Sequence, residues 1–274
     1  MGVFADKVAR RMPLSADEVA FLDSLEANPR RYARQQQVVR AGDAASDAFV
    51  LLTGWVMSYS RFPDGSYQVR RLHFPGDLIA MPSVPMRRHA EDAETLSDAV
   101  IAPFPKRRLA ELFEYPRLAA VMYMFAQAER ITSGDRLASV GRSPAKARVA
   151  FLLVDILERL RAADEAATDS FHMHLTREQV GQVTGMTGVH ASRTWSELVA
   201  CGLISNEGPL VTIRDEAALR ALSGYRHWDG GFDLEWLGAV RSAKPAAGAA
   251  IGLESVRRPT ARLCPDEAES SPRT

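Results

Sequence analysis

The sequence has few cysteines, no excess of either charge and no long apolar run. Only Cys201 and Cys264 occur among 274 residues, so a disulfide framework, a zinc site and a protein-ligated iron–sulfur cluster find no support. The 34 Lys and Arg residues balance the 34 Asp and Glu residues, so any contact with nucleic acid must come from local clustering. The richest apolar stretches, 48–52 and 149–154, are too short to cross a membrane. We therefore expect a cytoplasmic protein without membrane contact.

What the sequence does contain predicts two domains, the first of them rich in strands. The hydrophobic fraction is 46%, which suffices for ordinary cores. After a short amphipathic helix predicted at 15–27, apolar and β-branched runs extend from 38 to 78 and return at 95–104. Glycines roughly eleven residues apart separate the runs, a spacing typical of a sandwich or barrel of short antiparallel strands. These glycines are Gly42, Gly54, Gly65 and Gly76, and Asp64-Gly65 is a good hairpin turn.

The pattern becomes helical from Pro116. Apolar residues follow at i, i+3, i+4 and i+7, and no further proline occurs before Pro144, which predicts one long helix to about residue 138. These residues are Leu118, Val121, Met122 and Phe125. The apolar side either packs on the chain's own core or forms a dimer seam with a second copy.

The second domain begins with a helix restarted at Ser143-Pro144. A strand predicted at 171–175 leads into TREQVGQVTG, a short helix capped by Thr176 and stopped by Gly185. TGVHASRTWSELVACGLI then predicts a second helix capped by Thr187. Two short helices joined by a glycine-containing turn are typical of a helix-turn-helix, and the hairpin predicted after them would be its wing.

The segment TREQVGQVTGMTGVHASRTWSELVACGLI resembles the DNA-reading part of the Crp-Fnr superfamily of bacterial regulators. The order of elements agrees over about residues 15–222, and the Phe74-Pro75-Gly76-Asp77 turn resembles that of the family's β-roll. The resemblance implies an α+β protein with a jelly-roll-like antiparallel β-roll, a long dimerisation helix and a C-terminal winged helix-turn-helix. The expected parts are 1–115, 116–141 and 142–225, followed by an extension at 226–274 that we expect to be mostly disordered after about 241.

In this family the second helix of the motif enters the major groove, which implies a role for five residues near its start. These are Gly188, Val189, His190, Ser192 and Arg193. Arg193 is the strongest candidate, because a guanidinium bonds bidentately to guanine. Val189 stands where many relatives carry a cytosine-reading Glu, so we expect a different operator.

Contacts to the DNA phosphates are expected from residues around the helix starts. The candidates are Thr176, Arg177 and Thr187, with Arg142, Lys146 and Arg148 in addition. Double-stranded DNA and a second copy of the chain are the expected partners, and RNA polymerase is a further candidate.

The resemblance does not identify an effector. Met81 stands near the place of the Glu that binds the ribose in cyclic-nucleotide-binding relatives, so cyclic AMP is not expected, and no cofactor is expected either. Arg87, Arg88 and His89 form a candidate anion pocket, with solvated side chains as the alternative.

Two other classes of function stay open at this point. His172 and His174 form the one His-x-His pair, which is the basis for a cupin-like metal-dependent oxygenase, although packing explains a short His-containing strand equally well. A ligand-regulated module that binds protein through its helix-turn-helix is the other alternative.

Overall fold

The computed structural model describes residues 1–164 and 168–226 of the chain. The first domain is a β-roll preceded by two short helices. The helices are α1 (Val3–Ala9) and α2 (Ala16–Ser24). The strands are β1 (Arg30–Tyr32), β2 (Gln37–Val39), β3 (Asp47–Thr53), β4 (Val56–Arg61), β5 (Tyr67–His73), β6 (Leu78–Ile79), β7 (Asp92–Thr95) and β8 (Ala99–Pro105). The carboxyl-terminal extension predicted at 226–274 lies outside the described residues from 227 onward.

The strands form two antiparallel four-stranded sheets, in the orders β1-β8-β3-β6 and β2-β7-β4-β5. One buried cluster takes side chains from both sheets, among them Leu51 of β3 and Val56 of β4. The Asp64-Gly65 hairpin is confirmed: it joins β4 to β5, and Gly65 has a φ of +83°. The strand pattern expected at 95–104 corresponds to the end of β7 and to β8, which a turn separates and which belong to different sheets.

The predicted capped helix near Ser15 is confirmed as α2, where the Ser15 hydroxyl and the Glu18 carboxylate form a reciprocal capping box. The sequence pattern did not predict α1. Its first amides are capped from outside the helix, because Glu26 accepts hydrogen bonds from the backbone of Val3 and Phe4. A helix of seven residues needs such tertiary contacts to form.

The long helix is α3 (Pro116–Arg142), which follows a 3-10 segment at Lys106–Glu114. The structure corrects the expected seam, since Leu118 and Val121 are each 1% exposed and pack with α1 and α2 in the chain's own core. Met122 and Phe125 are partly buried against the same cluster. The opposite side of α3 is open, as the exposed Tyr123 shows.

The second domain starts with α4 (Ala145–Ala163) and ends with α7 (Glu216–Ser223), a helix that the sequence reasoning did not identify. Between them lie β9 (Ser170–His172), α5 (Arg177–Thr184), α6 (Gly188–Ala200), β10 (Ile204–Glu207) and β11 (Leu210–Ile213). The three strands form one antiparallel sheet in the order β10-β11-β9. The expected wing is thus a hairpin, and β9 pairs with its second strand.

The two domains share a buried apolar cluster and several polar contacts. Trp55, directly before β4, lies edge-on to His174, with ring centroids 5.1 Å apart. Gln68 of β5 donates a hydrogen bond to the Gln182 carbonyl of α5. Among the residues that the structure describes, no helix combines the length and apolar character needed to cross a membrane.

Candidate DNA-reading surface

The helix-turn-helix is built by local signals in the sequence. The Thr176 hydroxyl accepts a hydrogen bond from the Gln179 amide at 3.2 Å, and the Gln179 side chain accepts one from the Thr176 amide at 2.9 Å. Gly185 ends α5 with a φ of +67°, a conformation that favours glycine. Thr187 then caps α6 by accepting from the His190 amide at 3.3 Å.

Close packing of the two helices depends on a second glycine. A Cβ added to Gly181 in α5 would lie 2.5 Å from the Met186 carbonyl oxygen in the turn. Any larger residue would therefore force α5 and the turn apart, and this fixes the angle at which α6 is presented.

The helix α6 divides into a buried side and an exposed side. Ala191, Thr194, Trp195 and Leu198 face the domain core. The predicted base-reading side chains lie on the other side: Val189 is 75% exposed, and His190, Ser192 and Arg193 are also exposed. Gly188 is half-buried at the start of the helix. The structure thus brings the predicted base-reading residues together on one solvent-facing surface.

The candidate phosphate-contacting residues have mixed surroundings. Thr176 and Thr187 are exposed at the two helix starts, with their hydroxyls engaged as caps. The Arg177 guanidinium lies 3.7 Å from the centre of the Trp195 ring, and burial lowers the pKa of Arg177. The structure therefore gives Arg177 a cation–π partner that the sequence pattern did not indicate.

The three additional cations also differ in their surroundings. Arg142 is exposed at the end of α3, and Lys146 pairs with Glu197 of α6 at 3.1 Å. Arg148 donates to the carbonyls of Ser143, Thr184 and Gly185, at 2.8, 3.4 and 3.3 Å. It thereby ties the end of α3 to the turn of the motif.

The candidate anion pocket in the β-roll is not a closed site. Arg87 and Arg88 are exposed, and Arg88 donates to the Gly42 carbonyl at 2.7 Å. His89 is buried, and no described residue forms a hydrogen bond with its Nδ1. Its backbone amide donates to the Asp43 carbonyl, so the segment is fastened to the neighbouring loop.

Sequence reasoning missed a buried charge cluster between the two domains. Asp77, in the turn before β6, pairs with Lys7 of α1 and with Arg159 of α4, whose Nη2 lies 2.6 Å from its Oδ2. Burial opposes ionisation of Asp77, but Lys7, Arg159 and Arg71 outweigh it and hold its pKa well below the ordinary value. The Gly76-Asp77 turn was visible in the sequence, whereas its partners are remote along the chain.

The His-x-His pair does not form a metal site with other side chains of the described residues, where no group of three potential ligands comes together. His172 is exposed, and the His174 ring packs against Trp55. Packing thus accounts for the placement of His174.

A β-roll joined by a long helix to a winged helix-turn-helix defines the class of protein. The model of the cyclic nucleotide-binding domain matches residues 29–115, and the model of the Crp-like helix-turn-helix domain matches residues 147–222. The chain belongs to the Crp-Fnr family, whose members are DNA-binding transcription regulators and not enzymes.

Individual relatives agree with this assignment. The chain is 25% identical to the transcriptional activator protein Anr of Pseudomonas aeruginosa over 214 residues, 78% of this chain and 87% of the relative. It is 24% identical to the anaerobic regulatory protein of Haemophilus influenzae over 212 residues, 77% of this chain and 82% of the relative. The solved structure of FixK2 from Bradyrhizobium japonicum has the same fold, with a TM-score of 0.65 and 23% identity over 73% of this chain and 98% of FixK2.

Proposed function

We propose that two copies of the chain bind one inverted-repeat operator in the cytoplasm, each inserting α6 into the major groove. The observation that carries the proposal is the division of α6, which directs Val189, His190, Ser192 and Arg193 to solvent while its other side is buried. A helix held by its core side can present its exposed side to the floor of the groove.

Arg193 supplies the main base contact in this proposal. A bidentate contact from its guanidinium to guanine discriminates against other bases by about 1 to 3 kcal/mol. Val189, apolar and 75% exposed, is suited to a thymine methyl group. Ser192 and His190 add hydrogen bonds to bases or to phosphates.

Pairing of two chains through α3 is the second part of the proposal. The outer side of α3 exposes Tyr123, Ile131 and Leu137, and the Leu137 side chain is 74% exposed. A Cβ added to Gly134 or Gly141 would meet no atom within 4 Å, so a second helix has room to approach there. Paired in this way, the two recognition helices would lie about 34 Å apart, one turn of the duplex.

We expect regulation without cyclic AMP and without an iron–sulfur cluster. Met81 does not provide the acidic group, and Arg88 with His89 does not provide the Arg-Ser pair, that hold a cyclic nucleotide in relatives; Arg88 is instead engaged with the Gly42 carbonyl. The sequence offers only Cys201 and Cys264 as thiolate ligands. RNA polymerase is the proposed further partner once the operator is bound.

Selection of bound duplexes from a random pool tests the DNA-reading proposal. The wild-type chain should enrich an inverted repeat, whereas Arg193→Ala should lose sequence preference and retain weak, salt-sensitive binding. Arg107→Ala, which removes an exposed arginine from the β-roll domain, is the matched control and should enrich the wild-type motif. An unchanged motif with Arg193→Ala would refute the assignment of that residue.

The pairing proposal has a separate test. Leu137→Glu should shift the chain from dimer to monomer in sedimentation, because it places two carboxylates in the proposed seam. Phe113→Glu is the control, since Phe113 is 77% exposed but precedes α3. A Leu137→Glu chain that still sediments as a dimer would exclude this face.

A further inference from the structure

A cavity of about 480 Å³ lies where α1, the turn before β6, α3 and α4 meet. Pockets that take small molecules in proteins span roughly 300 to 1,000 Å³, so this volume is sufficient for a small ligand. The loop that holds Arg87, Arg88 and His89 does not contribute to its walls. The cavity is therefore distinct from the candidate pocket considered above.

One part of the cavity wall is charged. Lys7, Arg71 and Arg159 line it together with Asp77 and Glu129. Arg71 Nη2 lies 3.2 Å from Glu129 Oε2, and Arg159 Nη2 lies 2.6 Å from Asp77 Oδ2. These contacts form a continuous network from α1 to α4.

The rest of the lining is largely apolar. It comes from α1, the turn before β6, the 3-10 segment after β6 and α3, through Phe4, Phe74, Met81, Met122 and Phe125. The cavity is thus amphipathic, with a charged side and an apolar side.

The ion-paired side chains of this network, counted over the described residues, are four cations and three carboxylates, and Arg11 also lines the cavity. The network's cations are Lys7, Arg71, Arg159 and Arg136, which pairs with the lining carboxylate Asp155 at 2.9 Å, and its carboxylates are Asp77, Glu129 and Asp155. Excess positive charge on such partly buried side chains favours the binding of an anion.

The hydrogen bonds of the network are also incomplete. Within residues 1–164 and 168–226, Arg71 Nε and Arg159 Nη1 are buried N–H donors without a partner, and Glu129 Oε1 is a buried acceptor without one. Buried polar groups are nearly always paired, so a ligand in the cavity that accepts hydrogen bonds from these guanidinium donors would be favoured. A guanidinium presents its donors in a planar fork that matches a carboxylate.

We propose that this cavity binds a small amphipathic carboxylic acid, with its carboxylate against Arg71 and Arg159 and its apolar body against Met122 and Phe125. The acid supplies the negative charge that the network lacks and acceptors for guanidinium donors. Its body fills the apolar part of the lining. The site does not depend on the proposed DNA function, because it can be occupied without an operator.

Isothermal titration of the full chain with octanoate, in the absence of DNA, tests the proposal. Octanoate should bind to one site per chain, and octanol and octylamine, which share its tail, should bind about tenfold more weakly or not at all. Arg71→Gln should weaken octanoate binding by about tenfold or more. The matched control is Arg70→Gln on the same strand, whose side chain is 57% exposed, and it should bind as the wild type does.

A second variant covers a failure of Arg71→Gln to fold. Met122→Trp adds bulk to the apolar part of the cavity without changing a charge, so it should abolish binding of octanoate while the thermal transition remains. Three results would each overturn the proposal. The first is equal binding of octanoate and octanol, and the second is undiminished octanoate binding by a folded Arg71→Gln or Met122→Trp chain. The third is that none of octanoate, decanoate and 3-phenylpropionate binds.

Discussion

Replacing Asp77 by Asn tests whether the carboxylate at the junction of the domains stabilises the fold. Asn keeps the shape of the side chain. It can still accept a hydrogen bond from the Phe74 amide, as Asp77 does at 3.0 Å. It removes the charge that faces Lys7 and Arg159, and the Asp77 side chain is only 3% exposed. The substitution therefore leaves two partly buried cations without their common buried partner.

Breaking a buried ion pair by removing one member costs about 3 to 5 kcal/mol. For a chain of this size a loss of 1 kcal/mol lowers the melting temperature by about 2 to 4 °C, so Asp77→Asn should lower it by about 6 to 20 °C. Calorimetry and urea unfolding at pH 7 measure the difference. Glu111→Gln is the control, because Glu111 pairs with Arg108 while 43% exposed, and an exposed pair contributes at most about 1 kcal/mol.

Acidification provides a second measurement on the same pair of proteins. The pKa of Asp77 is lowered in the folded chain, so its stabilisation is present above the unfolded pKa of about 3.9 and is lost as pH falls through the folded pKa. The difference between wild type and Asp77→Asn should therefore shrink in strong acid. If the free energy of unfolding of Asp77→Asn at pH 7 lies within about 1 kcal/mol of the wild-type value, this account of the charge cluster is refuted.

Three further predictions concern single residues. Burial, together with Arg71, lowers the pKa of His73 well below 6.5, so the wild type should lose stability as pH falls below 6.5. In urea unfolding, the stability of His73→Gln should depend less steeply on pH than that of the wild type, and equal slopes for the two proteins would contradict this reasoning. Gly54→Ala should destabilise more than Gly65→Ala in thermal unfolding, because both have positive φ but only at Gly54 would a Cβ meet the Asp98 carbonyl; equal losses would exclude the steric cause. Thr176→Ala should cost about 1 kcal/mol and Thr176→Ser much less, since the hydroxyl caps α5; equal losses in urea unfolding would exclude capping as the reason.

Local signals explain why the DNA-reading motif could be predicted from the sequence. The caps at Thr176 and Thr187 and the positive φ at Gly185 depend on residues within a few positions of one another. The hairpin at Gly65 is equally local. Such elements are predictable because their causes lie inside the segment itself.

Contacts between remote residues explain what the sequence did not reveal. Lys7 and Asp77 are 70 residues apart, and Asp77 and Arg159 are 82 residues apart. The helix α1 depends on Glu26 for its caps, so its own pattern was insufficient.

The inner side of α3, where the sequence predicted a dimer seam, shows a different limit of sequence reasoning. The spacing of Leu118 and Val121 indicated an apolar helix face, but it could not distinguish cover by the chain's own core from cover by a second copy. The structure assigns these two residues to the chain's own core.

The bond from Lys7 to Asp77 has a practical consequence for handling this protein. The same carboxylate fastens the first helix and α4 of the DNA-reading half. Trimming residues 2–10, or fusing a bulky affinity tag ahead of them, would disturb an attachment point of that half even though the operator contacts lie elsewhere. Binding data from material tagged at this end should therefore be checked after the tag has been cleaved.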